Sequence, residues 1–462
     1  MFQTIIGAVS SFMYSKLLVI MLIGAGLYFT IRTRFPQARL FKRACESVME
    51  KPDDKEAISS FQALMVSTAS RVGTGNIVGV SSAICIGGFG SVFWMWVIAI
   101  IGSASALIES TLAQIYKRKG KDGECYGGPA YYIEAALHCR PLAIIFCISM
   151  IATYAFGFNM LASYNLQSTF SGFSFYDVKW TPWIIGGILA VITGWCLLGG
   201  GSRIVKVTST LVPAMGVAYI LISVIVMIIN RAYLPVVFSK IISEAFDFKA
   251  IFGAFAGSAM MQGIRRGLYS NEAGIGSAPN ASASAQVSHP IKQGLVQMLS
   301  VFIDTLLLCT ATAMMCLSSG IAPAQELQGA PWVQAALHES LGNFGPLFIT
   351  VAMVLFAFTT LLGNCFYCDT LLNYIHKGQP SKTFMKGFRI VSALVVFIGA
   401  GMEVSMLWNI SDVLMGVMAL INIPVILILS NTALKALEDY EKQKKNGKNP
   451  VFKTGNIGLE YA

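Results

Sequence analysis

Along this chain apolar residues run in long blocks rather than alternating with polar ones at the period of a surface strand or surface helix. A helix that crosses a bilayer needs roughly 20 mostly apolar residues. About eleven blocks reach or approach that scale, with short polar stretches between them. The first covers residues 17–30, the second 63–86, the third 92–115 and the fourth 141–170. The fifth ends near Arg203 and the sixth near residue 229. The seventh is expected from Ile251 to Arg265 and Arg266. The rest are 295–316, 347–372, 390–400 and 407–429. Little chain is left over for a soluble domain. The pattern predicts an all-α membrane protein with short loops, and a short surface helix between residues 230 and 248.

Composition agrees: 55% of the residues are hydrophobic and 12% charged, too little charge to cover a soluble protein of this length. The net charge of +10 could point to an acidic partner, but its placement explains it better. Lys and Arg collect in cytoplasmic loops. Arg32, Arg34, Arg39, Lys42 and Arg43 follow the first span. Lys117, Arg118, Lys119 and Lys121 follow the third. Arg203 with Lys206, Arg265 with Arg266, and Lys377 with Lys382 mark later inner ends. The tail carries Lys435, Lys442, Lys444, Lys445 and Lys448. Alternate loops are basic, which predicts an N-terminus outside and a C-terminus in the cytoplasm. The N-terminal stretch lacks the basic start and cleavage site of a signal peptide. The 10 Cys are scattered in apolar segments without a pairing pattern, and Cys365 with Cys368 reads as packing one helical turn apart.

Two spans are interrupted. The second holds Val72-Gly73-Thr74-Gly75-Asn76 at its middle. The seventh holds Gly253, Gly257 and then Met261-Gln262-Gly263-Ile264-Arg265-Arg266-Gly267. Irregular backbone at membrane depth persists only where protein or a water-filled cavity satisfies it. Glycine-interrupted spans at matching places in two halves point to a transporter site. Setting the first span aside, the second opens one set of five and the seventh another of opposite orientation. The expected division is an extra helix with its basic loop (1–58), two five-helix repeats (59–230 and 231–432) and a cytoplasmic tail (433–462). A broken helix frees N–H groups suited to a carboxylate and C=O groups suited to a cation or ammonium. A zwitterionic amino acid uses both. The plainer alternative is that these glycines only let helices pack closely.

Arg71-Val72-Gly73-Thr74-Gly75-Asn76 and Arg266-Gly-Leu-Tyr-Ser-Asn-Glu-Ala-Gly-Ile-Gly-Ser-Ala-Pro279 resemble the motifs of the alanine or glycine:cation symporter family. The resemblance extends over essentially the whole chain. It implies the fold of the sodium-coupled leucine transporters (LeuT-like, an inverted 5+5 repeat) and sodium-coupled symport of an amino acid. It implies that the amides of Thr74 and Gly75 hold the substrate carboxylate, with Asn76 facing the substrate and its neighbouring ion. It places sodium on the carbonyls of Ala69 and Val72 and the hydroxyls of Thr359 and Thr360. Gln167 would reach the substrate. The backbone of Met261, Gln262, Gly263 and Ile264 would accept the ammonium. A back-bond to the preceding turn is the plainer account of the Thr pair, and a solvated helix end that of Gln167. In one respect the chain departs: the family pattern has Trp after the glycine on the ninth span, and here Asn364 follows Gly363. By its spacing from Thr359, Asn364 falls on the substrate-facing turn. A larger, more polar pocket follows, which points to a bigger polar amino acid such as glutamine or asparagine, beside a small neutral one such as alanine or glycine.

Asp304 lies near the middle of the eighth span, where an ionisable residue is a functional candidate. It is expected either to be protonated, to pair with Arg71, or to help couple transport to a cation. Glu109 and Glu272 are expected nearer the inner ends, as gate groups or as side chains that snorkel to water. Asp369 and Glu403 are expected at the membrane interface. A proton-coupled symporter of the same fold is the nearest rival, with Asp304 as the proton carrier. A channel would need rings of carbonyls or charges. The 4 His are far apart, there is no HExxH metal site, and the glycine-rich runs carry no phosphate-loop Lys, so an enzyme is not expected. The expected partners are the amino acid, sodium and the lipid bilayer, with no nucleic acid and no obligatory protein partner. The bacterial inner (plasma) membrane is the expected location.

Overall fold

A computed structural model describes residues 2–50, 52, 57–120, 124–247 and 258–459. Ile251, Gly253, Gly257 and Lys121 therefore lie outside the described residues. The chain is almost wholly helical. Helix α1 (Gln3–Arg32) is followed by two short helices, Pro36–Arg39 and Phe41–Val48. Next come α2 (Ser60–Arg71), α3 (Gly75–Gly87), α4 (Gly90–Ile115) and α5 (Pro129–Leu137). They lead to α6 (Arg140–Ser168), α7 (Thr181–Leu197), α8 (Gly200–Ile229) and α9 (Leu234–Ala245). The second part holds α10 (Ala259–Asn271), α11 (Ala278–Ser284), α12 (Pro290–Leu317) and α13 (Ala330–Leu341). It closes with α14 (Phe344–Ile375), α15 (Lys382–Ala400), α16 (Val404–Ile428) and α17 (Ser430–Lys445). Among the described residues the only sheet is a two-stranded antiparallel clip with Arg118 opposite Tyr126.

Eight described helices are long and apolar enough to cross a membrane, and α3 and α7 are shorter apolar helices. Apolar side chains stay exposed on α7 (Ile184, Ile188, Val191, Trp195) and α8 (Val217, Leu221, Ile225, Ile228). That surface suits lipid rather than water. Helix α4 lies at the centre, and residues 101–115 are all buried. Small residues let its neighbours approach, since apolar side chains gain little by leaving lipid for protein. A Cβ on Gly267 of α10 would stand 2.7 Å from Ile98, and one on Gly294 of α12 would stand 2.7 Å from the carbonyl of Leu107.

One end of the molecule is basic, with Lys117 bonded to the carbonyl of Ala285 at 2.9 Å and Gln114 bonded to that same carbonyl. At the other end Gln3 bonds Glu403 and the indole of Trp94 bonds the end of α9. Helix α1 starts well before the expected residue 17. Ser10 and Tyr14, which look like polar punctuation, are buried against α10 and α16. Helices α13 and α17 lie where the sequence predicted a loop and a tail.

Candidate functional site

The first break is built by α2, α3 and α14. Ser59 and Gln62 cap the start of α2 reciprocally, at 3.2 Å and 2.9 Å. The helix ends at Val72, whose ψ is 88°. In a continuing helix the N–H of Gly73 would donate to the carbonyl of Ala69. Instead it donates to Oδ1 of Asn76 at 2.9 Å, so the Ala69 carbonyl leaves the helical ladder. A Cβ on Gly73 would fall onto Oγ1 of Thr360. That hydroxyl is buried and has no hydrogen-bond partner among the described residues. The Thr359 hydroxyl turns away, donating to the carbonyls of Leu355 at 3.0 Å and Phe356 at 3.1 Å beside Met215. Thr74 and Gly75 head the next half-helix, where opening amides have no acceptor within the helix.

Asn76 also reaches across the bundle. Its Nδ2 donates to Oδ1 of Asp304 at 2.7 Å and to Oγ of Ser270 at 3.1 Å. The other oxygen of Asp304 accepts from Ser270 and Thr305, each at 2.8 Å. Asp304 sits in a widened, π-type stretch of α12, a local geometry that gathers at functional sites. One carboxylate thus ties α3, α10 and α12 together. Of the alternatives for Asp304, a pair with Arg71 is not formed among the described residues: Arg71 donates to Gln297 at 3.4 Å, while neutral donors fill Asp304.

Within the described residues a second break appears beyond the expected stretch, whose Gly253 and Gly257 lie outside them. Met261, Gln262, Gly263 and Ile264 sit inside the unbroken α10, and Gly263 presses on the backbone of Ser91. The glycine signal there marks close packing. The backbone breaks at 272–277, between α10 and α11, where Glu272, Gly274 and Gly276 take φ of 54°, 86° and 87°. A glycine holds a left-handed φ without steric cost. Both Glu272 and Glu109 are buried, not snorkelling. Glu272 accepts from Ser277 at 2.6 Å and from Ser70 at 3.3 Å. Glu109, from α4, accepts the N–H of Gly274 at 3.2 Å and of Gly276 at 3.1 Å.

Arg265 and Arg266 also occupy unexpected ground. They face the end opposite Lys117, where Arg265 bonds Ser10. Both pair with Asp412 of α16, at 3.2 Å and 3.3 Å. The Arg266 guanidinium lies 3.8 Å over the ring of Trp408. Beneath it, Phe158, Tyr269 and Trp408 stack edge to face, 4.8 Å and 4.9 Å between centroids. Tyr269 lies against Gly75, where an added Cβ would meet its ring at 2.8 Å. Aromatic rings and a charged pair thus cap the first break on that side.

Asn364 is buried with both polar ends engaged. Oδ1 accepts from Ser70 at 2.7 Å and Nδ2 donates to Asn159 at 2.9 Å. Gln167 is buried and accepts from Tyr176 at 2.8 Å. Two residues earlier, Asn165 donates to the Thr74 hydroxyl at 3.0 Å. Sequence reading missed Asn165, Ser70, Ser270 and Asn422. Their signal was a short polar residue inside an apolar block. On the basic side a cavity of about 720 Å³ opens between the starts of α2, α8 and α15 and the ends of α11 and α14. Asp369 and Arg389, paired at 2.8 Å, line it. Glu403 is exposed at the opposite end.

Comparisons with known proteins give a consistent picture. Residues 1–454 match the family model described as the sodium:alanine symporter family. The chain is 44% identical to the amino-acid carrier protein AlsT of Bacillus subtilis, over 100% of this chain and 97% of that protein. It is 41% identical to a probable sodium/glutamine symporter, GlnT, of the same organism, over 97% and 93%. Its fold matches that of MhsT, crystallised with L-phenylalanine, with a TM-score of 0.52, 16% identity, and 87% and 92% of the two chains covered.

Proposed function

The chain belongs to the sodium:alanine symporter family, and from that premise we propose that it carries a neutral amino acid and sodium together at the first break. It is a multi-pass membrane transporter, not an enzyme, and sodium is its co-transported ion. What carries the site assignment is one observation. Asn76 takes the N–H that would have bonded Ala69, next to a Thr360 hydroxyl with no partner among the described residues. A released carbonyl and an unsatisfied hydroxyl, with the Val72 carbonyl at the helix end, are the oxygen ligands a sodium ion requires. Thr359, bonded to its own helix, stands behind Thr360 in this conformation.

The substrate carboxylate meets the amides of Thr74 and Gly75 with Asn76 beside it. The ammonium meets carbonyls that close α10 instead of those of Met261–Ile264. Gln167 reaches the substrate, Asn165 holds the Thr74 hydroxyl, and Arg71, Asp304 and Glu272 hold the two breaks in register. Asn364 supplies a polar wall where the family pattern has tryptophan. The expected favoured substrate is therefore glutamine, with alanine and glycine as smaller competitors. Asn364→Trp should shift preference toward alanine, and an unchanged preference would remove Asn364 from the argument.

The wider plan is eleven spans in an inverted 5+5 arrangement, with 1–58 added in front, repeats at 59–230 and 231–432, and a cytoplasmic tail at 433–462. The protein would sit in the bacterial inner membrane, N-terminus outside. The cap of Phe158, Tyr269, Trp408 and the Arg266–Asp412 pair closes the outer path, and the cavity at Asp369 is the inner path. Alternating access opens one while closing the other. Uptake of labelled glutamine and alanine into proteoliposomes tests the reading, under an inward sodium gradient or an inward proton gradient. Uptake driven by sodium alone supports it. Uptake driven by protons alone would move coupling to Asp304 and remove the ion from Ala69, Val72 and Thr360.

A further inference from the structure

The two breaks differ in what fills them. In the second break every backbone N–H from 272 to 276 has an acceptor inside the protein. Glu272 bonds the carbonyl of Leu268 at 2.9 Å, and Ala273 bonds Oδ1 of Asn271 at 3.0 Å. Ile275 reaches the carbonyl of Glu272 at 3.5 Å. Gly274 and Gly276 bond the two carboxylate oxygens of Glu109. Asn422 of α16 adds a bond to Glu109 at 2.8 Å, another to the Gly274 carbonyl at 2.9 Å, and accepts from Tyr132 at 2.5 Å. Glu109 itself is fully buried.

Successive amides in a turned backbone form a concave site for an anion. A carboxylate from outside is what a broken helix of this kind would ordinarily attract. Here α4 delivers one from within. We propose that Glu109 is a positioning residue: its buried carboxyl oxygens supply the second break with an internal acceptor, hold Gly274 and Gly276 in their left-handed conformation, and keep that break from competing for the substrate carboxylate. The orientation of the amino acid follows from it. Its negative end is then left the opening amides of the first break, and its ammonium the carbonyl side of the second. This inference rests on the placement of the substrate between the two breaks.

Two variants and two readouts test it. In Glu109→Ala the amides of Gly274 and Gly276 lose their acceptor while the first break is untouched. The maximal rate of sodium-driven glutamine uptake should fall about tenfold or more, the effect of removing a charge-assisted pair of bonds. Half-saturating glutamine should stay within about threefold, because the carboxylate contacts remain. Formate should restore part of the rate in Glu109→Ala and none in Glu109→Gln, which fills the space and keeps one acceptor. Independently of transport, formate should raise the thermal midpoint of purified Glu109→Ala and leave the parent protein unshifted. Parental rates in Glu109→Ala would overturn the proposal. So would a monodisperse Glu109→Ala that formate neither rescues nor stabilises. A rise in half-saturating glutamine with the rate retained would also overturn it, because Glu109 would then contact substrate. If the parent takes up no amino acid on sodium while formate stabilises only Glu109→Ala, the symport site reading fails and the internal acceptor stands.

Discussion

Gly363→Ala separates the sodium site from general packing. Gly363 is where α14 lies directly on α2. An added methyl would stand 2.6 Å from the amide nitrogen of Ser70 and 2.9 Å from its Cα. Ordinary contact begins near 3.4 Å, so the helices must part by roughly 0.8 Å. Trimming the Ser70 side chain gives no relief, because the clash is with backbone. Overpacking of this kind costs about 1–3 kcal/mol. The cost falls on whichever state presses α2 and α14 together. If sodium is held between Ala69 and Val72 on one side and Thr360 on the other, that state is the sodium-bound one. About 1.4 kcal/mol charged to it is a tenfold rise in half-saturating sodium. The assay is the initial rate of glutamine uptake into proteoliposomes across a sodium series, with the maximal rate fitted separately. A half-saturating sodium that does not move, alongside a reduced maximal rate, would refute the idea that the ion bridges these helices.

Thr360→Val should raise half-saturating sodium about tenfold without lowering thermal stability, since it removes a buried hydroxyl that has no protein partner. Thr359→Val is the control and should change sodium dependence little, because that hydroxyl is spent on its own helix. Asp412→Ala should lower stability by about 3 kcal/mol, read as a drop in the detergent thermal midpoint, because it leaves the buried Arg266 and the partly buried Arg265 without their carboxylate. At the basic end, burial pushes the His289 imidazole down to about 4, against the opposing bond to Asp439. Its folded value lies below the unfolded one, so its contribution is whole above about pH 6.5 and is lost as pH falls toward 4. At pH 5 the docking of the tail on His289 should weaken by about 2 kcal/mol, seen as faster amide exchange in residues 446–459, and His289→Gln should abolish that pH dependence.

How far the sequence could be read depended on whether a residue's partner was near it in the chain. The long helices were legible because an apolar block needs no partner to declare itself. The first break was legible too: Asn76 is a polar residue among apolar neighbours, and it bonds Gly73 only three residues away. The second break was not. Gly263 and Gly267 carry the same glycine signal, yet they serve contact with Ser91 and Ile98 on α4. Glu272, in the break at 272–277, resembled a span end because a charge usually marks one.

The misread charges share a cause. Arg265 and Arg266 looked like cytoplasmic markers because the residue that pairs with them, Asp412, is 146 positions from Arg266. Glu109 looked like a snorkelling side chain because the amides it serves lie 165 and 167 positions on. Rules that price a polar residue in a membrane by its local neighbours assume an unpaired group. Here the fold supplies the partner, and the cost becomes a constraint on geometry: Asp412 fixes α10 to α16, and Glu109 fixes the second break to α4. Such residues cannot be exchanged for apolar ones without leaving their partners bare. For the same reason, a charge in a span whose partner the structure does supply reports on architecture first. A coupling role must then be argued from atoms left unsatisfied, of which the buried Thr360 hydroxyl beside the first break is one.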